Sequence, residues 1–116
     1  MALCHTPCVN PIRRFQDWRL VIRLPAKAVS LEGCSARCQL RKSPRPGAPL
    51  AAEISTSIPV PANLEIICDL TKEQTGQLEA GRYWIDCLLD RPDGFTEPAL
   101  TPYPIEVANS VTLPLS

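Results

Sequence analysis

The sequence predicts an all-β chain: a small antiparallel β-sandwich of about seven strands with one short connector helix. Three observations predict it. Short stretches alternate apolar and polar side chains, which places successive residues on opposite faces of a sheet. Thirteen of the 116 residues are proline, against a usual share of about 5%, and proline can neither donate to a ladder nor sit inside a helix. Turn signals separate the alternating stretches at intervals of about eight to twelve residues. Long helices are thereby excluded, and no stretch approaches the roughly 20 apolar residues that span a bilayer as a helix.

Taken in order, "DWRLVIRL" puts Trp18, Leu20, Ile22 and Leu24 on one face and Asp17, Arg19 and Arg23 on the other, with Val21 the apolar exception. "CSARCQLR" turns Cys34, Ala36, Cys38 and Leu40 inward. "SPRPGAP", residues 43–49, reads as a hairpin loop, and 52–58 as a returning strand before Pro59 and Pro61. "NLEIICDL" points Leu64, Ile66, Cys68 and Leu70 to the core, and "RYWIDCLLD" points Tyr83, Ile85, Cys87 and Leu89 there. "RPDGF", residues 91–95, has proline early and glycine where positive φ is wanted, a hairpin turn. A last strand near residues 102–108 offers Tyr103, Ile105 and Val107. Antiparallel sheets with one apolar and one polar face fit this pattern.

The single helical segment, near residues 72–79, has Thr71 as N-cap and Gln74 in capping-box position. Leu78 returns to the core, and Gly81 ends the segment because glycine readily takes positive φ. Too short to hold alone, it is expected to be a corner piece between two strands. The organisation read from these elements is an N-terminal extended arm over 1–14, one sandwich domain over 15–108 and an extended tail over 109–116.

Twelve basic and twelve acidic residues leave no net charge, so the basic excess that marks nucleic-acid or anionic-membrane partners is missing. Neither nucleic acid nor membrane is expected as a partner. Arg13–Arg14 and "RKSPR", residues 41–45, read as solvated loop charge. The N-terminus lacks a charged region followed by an apolar run, so synthesis and first folding are expected in a reducing cytoplasm.

Catalysis lacks its parts, and the chain is expected not to be an enzyme. The one histidine is His5, and there is no G-x-S-x-G, glycine-rich phosphate loop or paired histidines. Asp86 alternates away from the core set that contains Cys87. On a strand Cys34 and Cys38 lie roughly 13 Å apart, whereas two sulfurs on one zinc approach within about 4 Å, so that pair cannot chelate one ion. Cys34, Cys38, Cys68 and Cys87 read as buried free thiols behaving as small hydrophobes, with a cross-sheet Cys38–Cys87 disulfide the alternative. No cofactor is expected. The less favoured alternative is a zinc held by Cys4, His5 and Cys8 in the N-terminal "CHTPC", whose preferred reading is a packing arm. Trp18 reads as core; Trp84, with Leu88, either forms an exposed apolar strip suited to a protein interface or is covered by a neighbouring loop or the helix.

The order "FQDWRLVIRL", "LEGCSARCQLRKSP", "LTKEQTGQLEAGRYWIDCLLDRPDG" resembles small immunoglobulin-like domains encoded among phage and prophage tail genes, of upper-baseplate type. Those domains carry a segment similar to L-T-x-x-x-T-x-x-L-x-x-G-x-Y-x-Y-D-L, which Leu70, Thr71, Thr75, Leu78, Gly81, Tyr83 and Asp86 match. Ile85 and Cys87 replace the second tyrosine and the following leucine. The resemblance covers roughly residues 15–108, and it departs where "TPYPIEV" stands in place of a glycine before the last strand. An antibody-type domain fits poorly, because no tryptophan lies between Cys38 and Cys87 and Ile85, not tyrosine, stands two before Cys87.

The resemblance implies an immunoglobulin-like β-sandwich and a non-enzymatic virion role, in a tail or baseplate. Its partners would be other virion proteins and copies of itself. The alternatives are a capsid decoration protein, or a receptor- or glycan-binding module with Trp84 as stacking platform. The interface residues expected are Trp84, Leu88, Arg13, Arg14, Val111, Leu113 and Leu115.

Overall fold

The structure, a computed structural model, describes residues 9–25, 30–45 and 47–110. Seven strands follow in chain order: β1 (Ile12–Arg13), β2 (Trp18–Arg23), β3 (Ser35–Arg41), β4 (Leu50–Ser57), β5 (Glu65–Leu70), β6 (Gly81–Asp90) and β7 (Thr96–Ala108). One α-helix, α1 (Lys72–Gly76), joins β5 to β6, and a single 3-10 turn, Pro61–Asn63, precedes β5. The all-β expectation holds, with a helix shorter than the sequence suggested: it closes on Gln77, and Gly81 instead opens β6 at φ 149°.

The strands lie in the order β1-β7-β6-β3-β4-β5-β2. Every pairing is antiparallel except β1 with β7. The two layers of the sandwich, β7-β6-β3 and β5-β2, are one continuous sheet because β4 changes partner along its length. Residues from Leu50 to Ile54 pair with β3, and Ser55–Ser57 pair with β5. The whole sheet is thereby curled almost into a barrel.

The alternation read from sequence sets the core. Trp18, Leu20, Ile22, Cys38, Leu40, Ile66, Cys68, Leu70, Tyr83, Ile85, Cys87 and Leu89 are all buried, each large side chain contributing about 1.5–3 kcal/mol by leaving water. Outside, cross-strand pairs Arg19–Asp69 (2.6 Å), Arg23–Glu65 (2.7 Å) and Arg37–Asp90 (2.7 Å) tie neighbouring strands. Exposed pairs of this kind add little stability singly.

Two differences from the sequence reading concern the chain ends. Residues up to 14 do not all form an arm, since Ile12 is completely buried and β1 pairs alongside Val107 and Ala108. β7 begins at Thr96 rather than near 102, although it contains Pro98, Pro102 and Pro104. Among the described residues only Ile12 and Arg13 pair on its outer side, at Val107 and Ala108, and along such an outer side proline costs no ladder bond and discourages unwanted pairing. Two register irregularities opposite Ile85–Leu88 absorb the extra residues.

The corner at α1 explains the most motif-like part of the sequence. Thr71 accepts from the Gln74 amide (3.2 Å) while the Gln74 side chain accepts from the Thr71 amide (2.9 Å), a complete capping box. Asp17, just before β2, accepts from the Lys72 amide at 2.8 Å. Thr75, wholly buried, accepts from the Gln16 amide (3.2 Å) and donates to the Gln16 carbonyl (2.9 Å). The helix is therefore held at its first turn and its middle by the segment entering β2.

Tyr83 completes this corner. Its hydroxyl donates to the Glu79 carbonyl at 2.7 Å, the tyrosine corner of immunoglobulin-like sandwiches. Counting back from Cys87 misses it; the relevant tyrosine stands at Tyr83, close behind the helix.

Candidate functional site

Two places gather side chains of chemical interest: three thiols at the centre of the core, and a cleft beside Trp84 on the outer face of β3-β6-β7.

The thiols come from three strands. Cys38 of β3 and Cys87 of β6 stand directly opposite each other. On β4, Cys38 faces Ile54 and Cys68 of β5 faces Thr56. Because β4 switches partner between these positions, the side chains of β3 and β5, which never pair, meet across the sandwich. The three Sγ atoms all lie within 4.8 Å of one another, and all three residues are 0% exposed. All three are free thiols, so Cys38 and Cys87 are neighbours within one sheet rather than a cross-sheet disulfide. A group of three sulfurs at this spacing could hold a metal ion.

Mutual hydrogen bonding separates the three thiols. Bonding to Cys68 and Cys87, then burial, pushes Cys38 far up. Cys68 is eased down by Cys38 but raised more by Cys87 and by burial, to about 12. Cys87, hydrogen-bonded by both Cys38 and Cys68, is lowered despite its burial. Cys34 stands apart from the group. It precedes β3, is half-buried and packs against the edge of the core rather than within it, and its sulfur lies 3.9 Å from an Arg91 guanidinium nitrogen.

On the outer face, Trp84 sits in register between Arg41 of β3 and Pro104 of β7. It is half-buried and forms one wall of an open cleft of about 330 Å³, lined also by Arg41, Ser43, Pro44, Arg45, Gly47, Ile85, Asp86 and Pro102. The hairpin loop between β3 and β4 thus flanks the indole without closing over it, an outcome between the two readings of Trp84. Asp86, in the same cleft, has its carboxyl raised by burial and by the neighbouring Cys87, with Arg41 partly opposing.

The remaining sequence-predicted positions scatter. Leu88 is half-buried on the same outer face as Trp84, between Arg37 and Pro98. Arg13 is exposed on β1. Arg14 is spent inside the chain, donating to Asn109 Oδ1 (3.0 Å) and to the Gly76 carbonyl (2.9 Å), so it is a fastener of the fold rather than a free interface cation. Cys4, His5, Cys8, Val111, Leu113 and Leu115 lie outside the described residues.

Sequence reasoning missed three exposed apolar side chains, Leu50, Val60 and Phe95, which sit at strand ends and turns where alternation says nothing. It also missed the convergence of the thiols, for which shared inward alternation was the only signal. Among the described residues no helix is long and apolar enough to cross a membrane. No protein-family model matches the chain, and no curated protein matches it.

Proposed function

We propose that this protein is a non-enzymatic structural or assembly component of a phage particle, in the tail or baseplate, working through contacts with other virion proteins and with copies of itself. The half-buried Trp84 at the open cleft carries this reading. Tryptophan is enriched among residues that dominate protein interfaces, and here it stands beside Leu88 and the proline-bearing edge of β7. The resemblance of residues 70–94 to tail-encoded domains supports the same reading. The motif residues Thr71, Thr75 and Tyr83 are used in building the corner, leaving the outer sheet face for recognition.

Quantitative mass spectrometry of purified particles tests it, with virions carrying wild-type protein or the Trp84→Ala, Leu88→Ser double variant. Stoichiometric wild type and depleted variant are expected. Absence of the wild-type chain from particles would sink the proposal. Labelling the particle for electron microscopy separates tail from capsid decoration.

A second reading, a receptor- or glycan-binding module, draws on one observation: the cleft places Trp84 beside Asp86 and Arg45, a stacking surface with polar partners. Glycan-array binding that disappears in Trp84→Ala would favour it over the assembly role. Metal analysis of a Cys4→Ser, Cys8→Ser variant tests the zinc alternative at the N-terminus.

A further inference from the structure

We propose that Cys38, Cys68 and Cys87 form a three-coordinate site for a soft monovalent metal ion, copper(I). The inference is independent of the particle role proposed above and rests on the count, spacing, softness and charge of the ligands.

Spacing comes first. With all three sulfurs within 4.8 Å of one another, an ion at the centre of an equilateral triangle of that edge would lie about 2.8 Å from each. Metal–thiolate bonds are about 2.3 Å long. Each sulfur then has to move inward by about half an ångström or less, within reach of small side-chain rotations. The site is ready for an ion lying in the plane of three donors.

Count and softness come next. Zinc in a structural site takes four ligands in a tetrahedron. Among the described residues the group stops at three, and the fully buried members of the core around it supply no imidazole, carboxylate or further thiol; Cys34, partly buried, packs against that core without joining the group. Thiolate sulfur selects copper(I) among the soft ions, and a monovalent d10 ion is satisfied by three sulfurs.

Charge decides the oxidation state of the guest. The core cluster is apolar, and an uncompensated charge there is very costly. Copper(I) entering as Cu⁺ replaces one thiol proton: one of the three S–H bonds breaks, an S–Cu bond forms, and the proton leaves to solvent. No electron is transferred and the net charge of the core is unchanged, with the other two cysteines completing the shell as neutral thiol donors. A divalent ion would have to displace two protons and still lack its fourth donor. Because the three residues are 0% exposed, the ion enters while the chain folds or opens rather than through a channel.

The test uses the full chain, refolded anaerobically with a reductant and copper(I) supplied as its bicinchoninate complex. One copper retained per chain after gel filtration is expected, with a first shell of three sulfurs by X-ray absorption and a raised melting temperature. Cys34→Ser and the Cys4→Ser, Cys8→Ser variant should keep the copper, and Cys68→Ala should lose it. No retained copper, a shell containing nitrogen, loss in the Cys4→Ser, Cys8→Ser variant, or undiminished binding by folded Cys68→Ala would each overturn the site. Should Cys68→Ala fail to fold, the wild-type absorption spectrum alone decides.

Discussion

Thr75 and Gln16 bond each other twice: the Gln16 amide donates to the Thr75 hydroxyl at 3.2 Å, and the hydroxyl donates back to the Gln16 carbonyl at 2.9 Å. Thr75 is the only buried polar residue in the described core. Thr75→Val keeps the shape and removes both bonds, leaving the Gln16 carbonyl of a partly buried segment without its hydroxyl donor and the Gln16 amide with only its 3.3 Å bond to the Arg13 carbonyl. A loss of about 1–3 kcal/mol in urea unfolding is expected. Thr75→Ser should recover most of it, and equal losses for both variants would assign the effect to packing instead.

Gly76 lies under Phe15. A Cβ built there would stand 2.6 Å from two Phe15 ring carbons. In an open helix Gly→Ala stabilises by about 1 kcal/mol; at this position the sign should reverse, with Gly76→Ala costing about 1–3 kcal/mol through overpacking. Phe15→Leu introduced into the Gly76→Ala background should restore most of the loss. Chemical denaturation of the single and double variants measures both steps.

Two carboxylates on β6 give opposite pH dependence. Hydrogen bonds from Arg37 and Thr96 hold Asp90 below its ordinary 3.8. Its stabilising contribution is therefore present above 3.8 and lost as pH falls through the lowered folded value. Burial, then Cys87, raises Asp86 above the same 3.8. Its contribution is complete below 3.8 and lost as pH rises through the raised folded value, so at neutral pH the ionised group opposes folding. Asp86→Asn should raise the melting temperature at neutral pH and Asp90→Asn should lower it. Both differences should shrink in acid, as melting curves across pH would record.

The thiols should divide by accessibility. In native protein Cys34, half-buried, should react with a maleimide, while Cys38, Cys68 and Cys87 should stay unmodified until denaturant is added. Peptide mass spectrometry reads each cysteine separately. Rapid native labelling of Cys38 or Cys87 would show that the core opens more readily than its burial implies.

Much of this was legible in the sequence because a strand's facing pattern is local. Trp18, Leu20 and Ile22, or Tyr83, Ile85, Cys87 and Leu89, can be assigned inward from their own spacing, and the capping box of Thr71 and Gln74 from three residues' separation. The first half of β7 was not legible, because Pro98, Pro102 and Pro104 read as breakers, and only the long-range pairing with β6 carries the strand through them. β1 was not legible either. Two residues have no periodicity, and Ile12 is buried only by its parallel pairing with β7.

By itself the sequence determined which side chains face inward, where the chain turns, and that the corner at residues 71–83 is capped. These depend on residues a few positions apart. Only the tertiary structure decided that β4 changes partner between Ile54 and Ser55, and with it that Cys38, Cys68 and Cys87 meet and that a loop flanks Trp84 without covering it. Period-two alternation fixes the face a side chain takes. Which strand lies opposite is set by long-range pairing, and no local pattern encodes it.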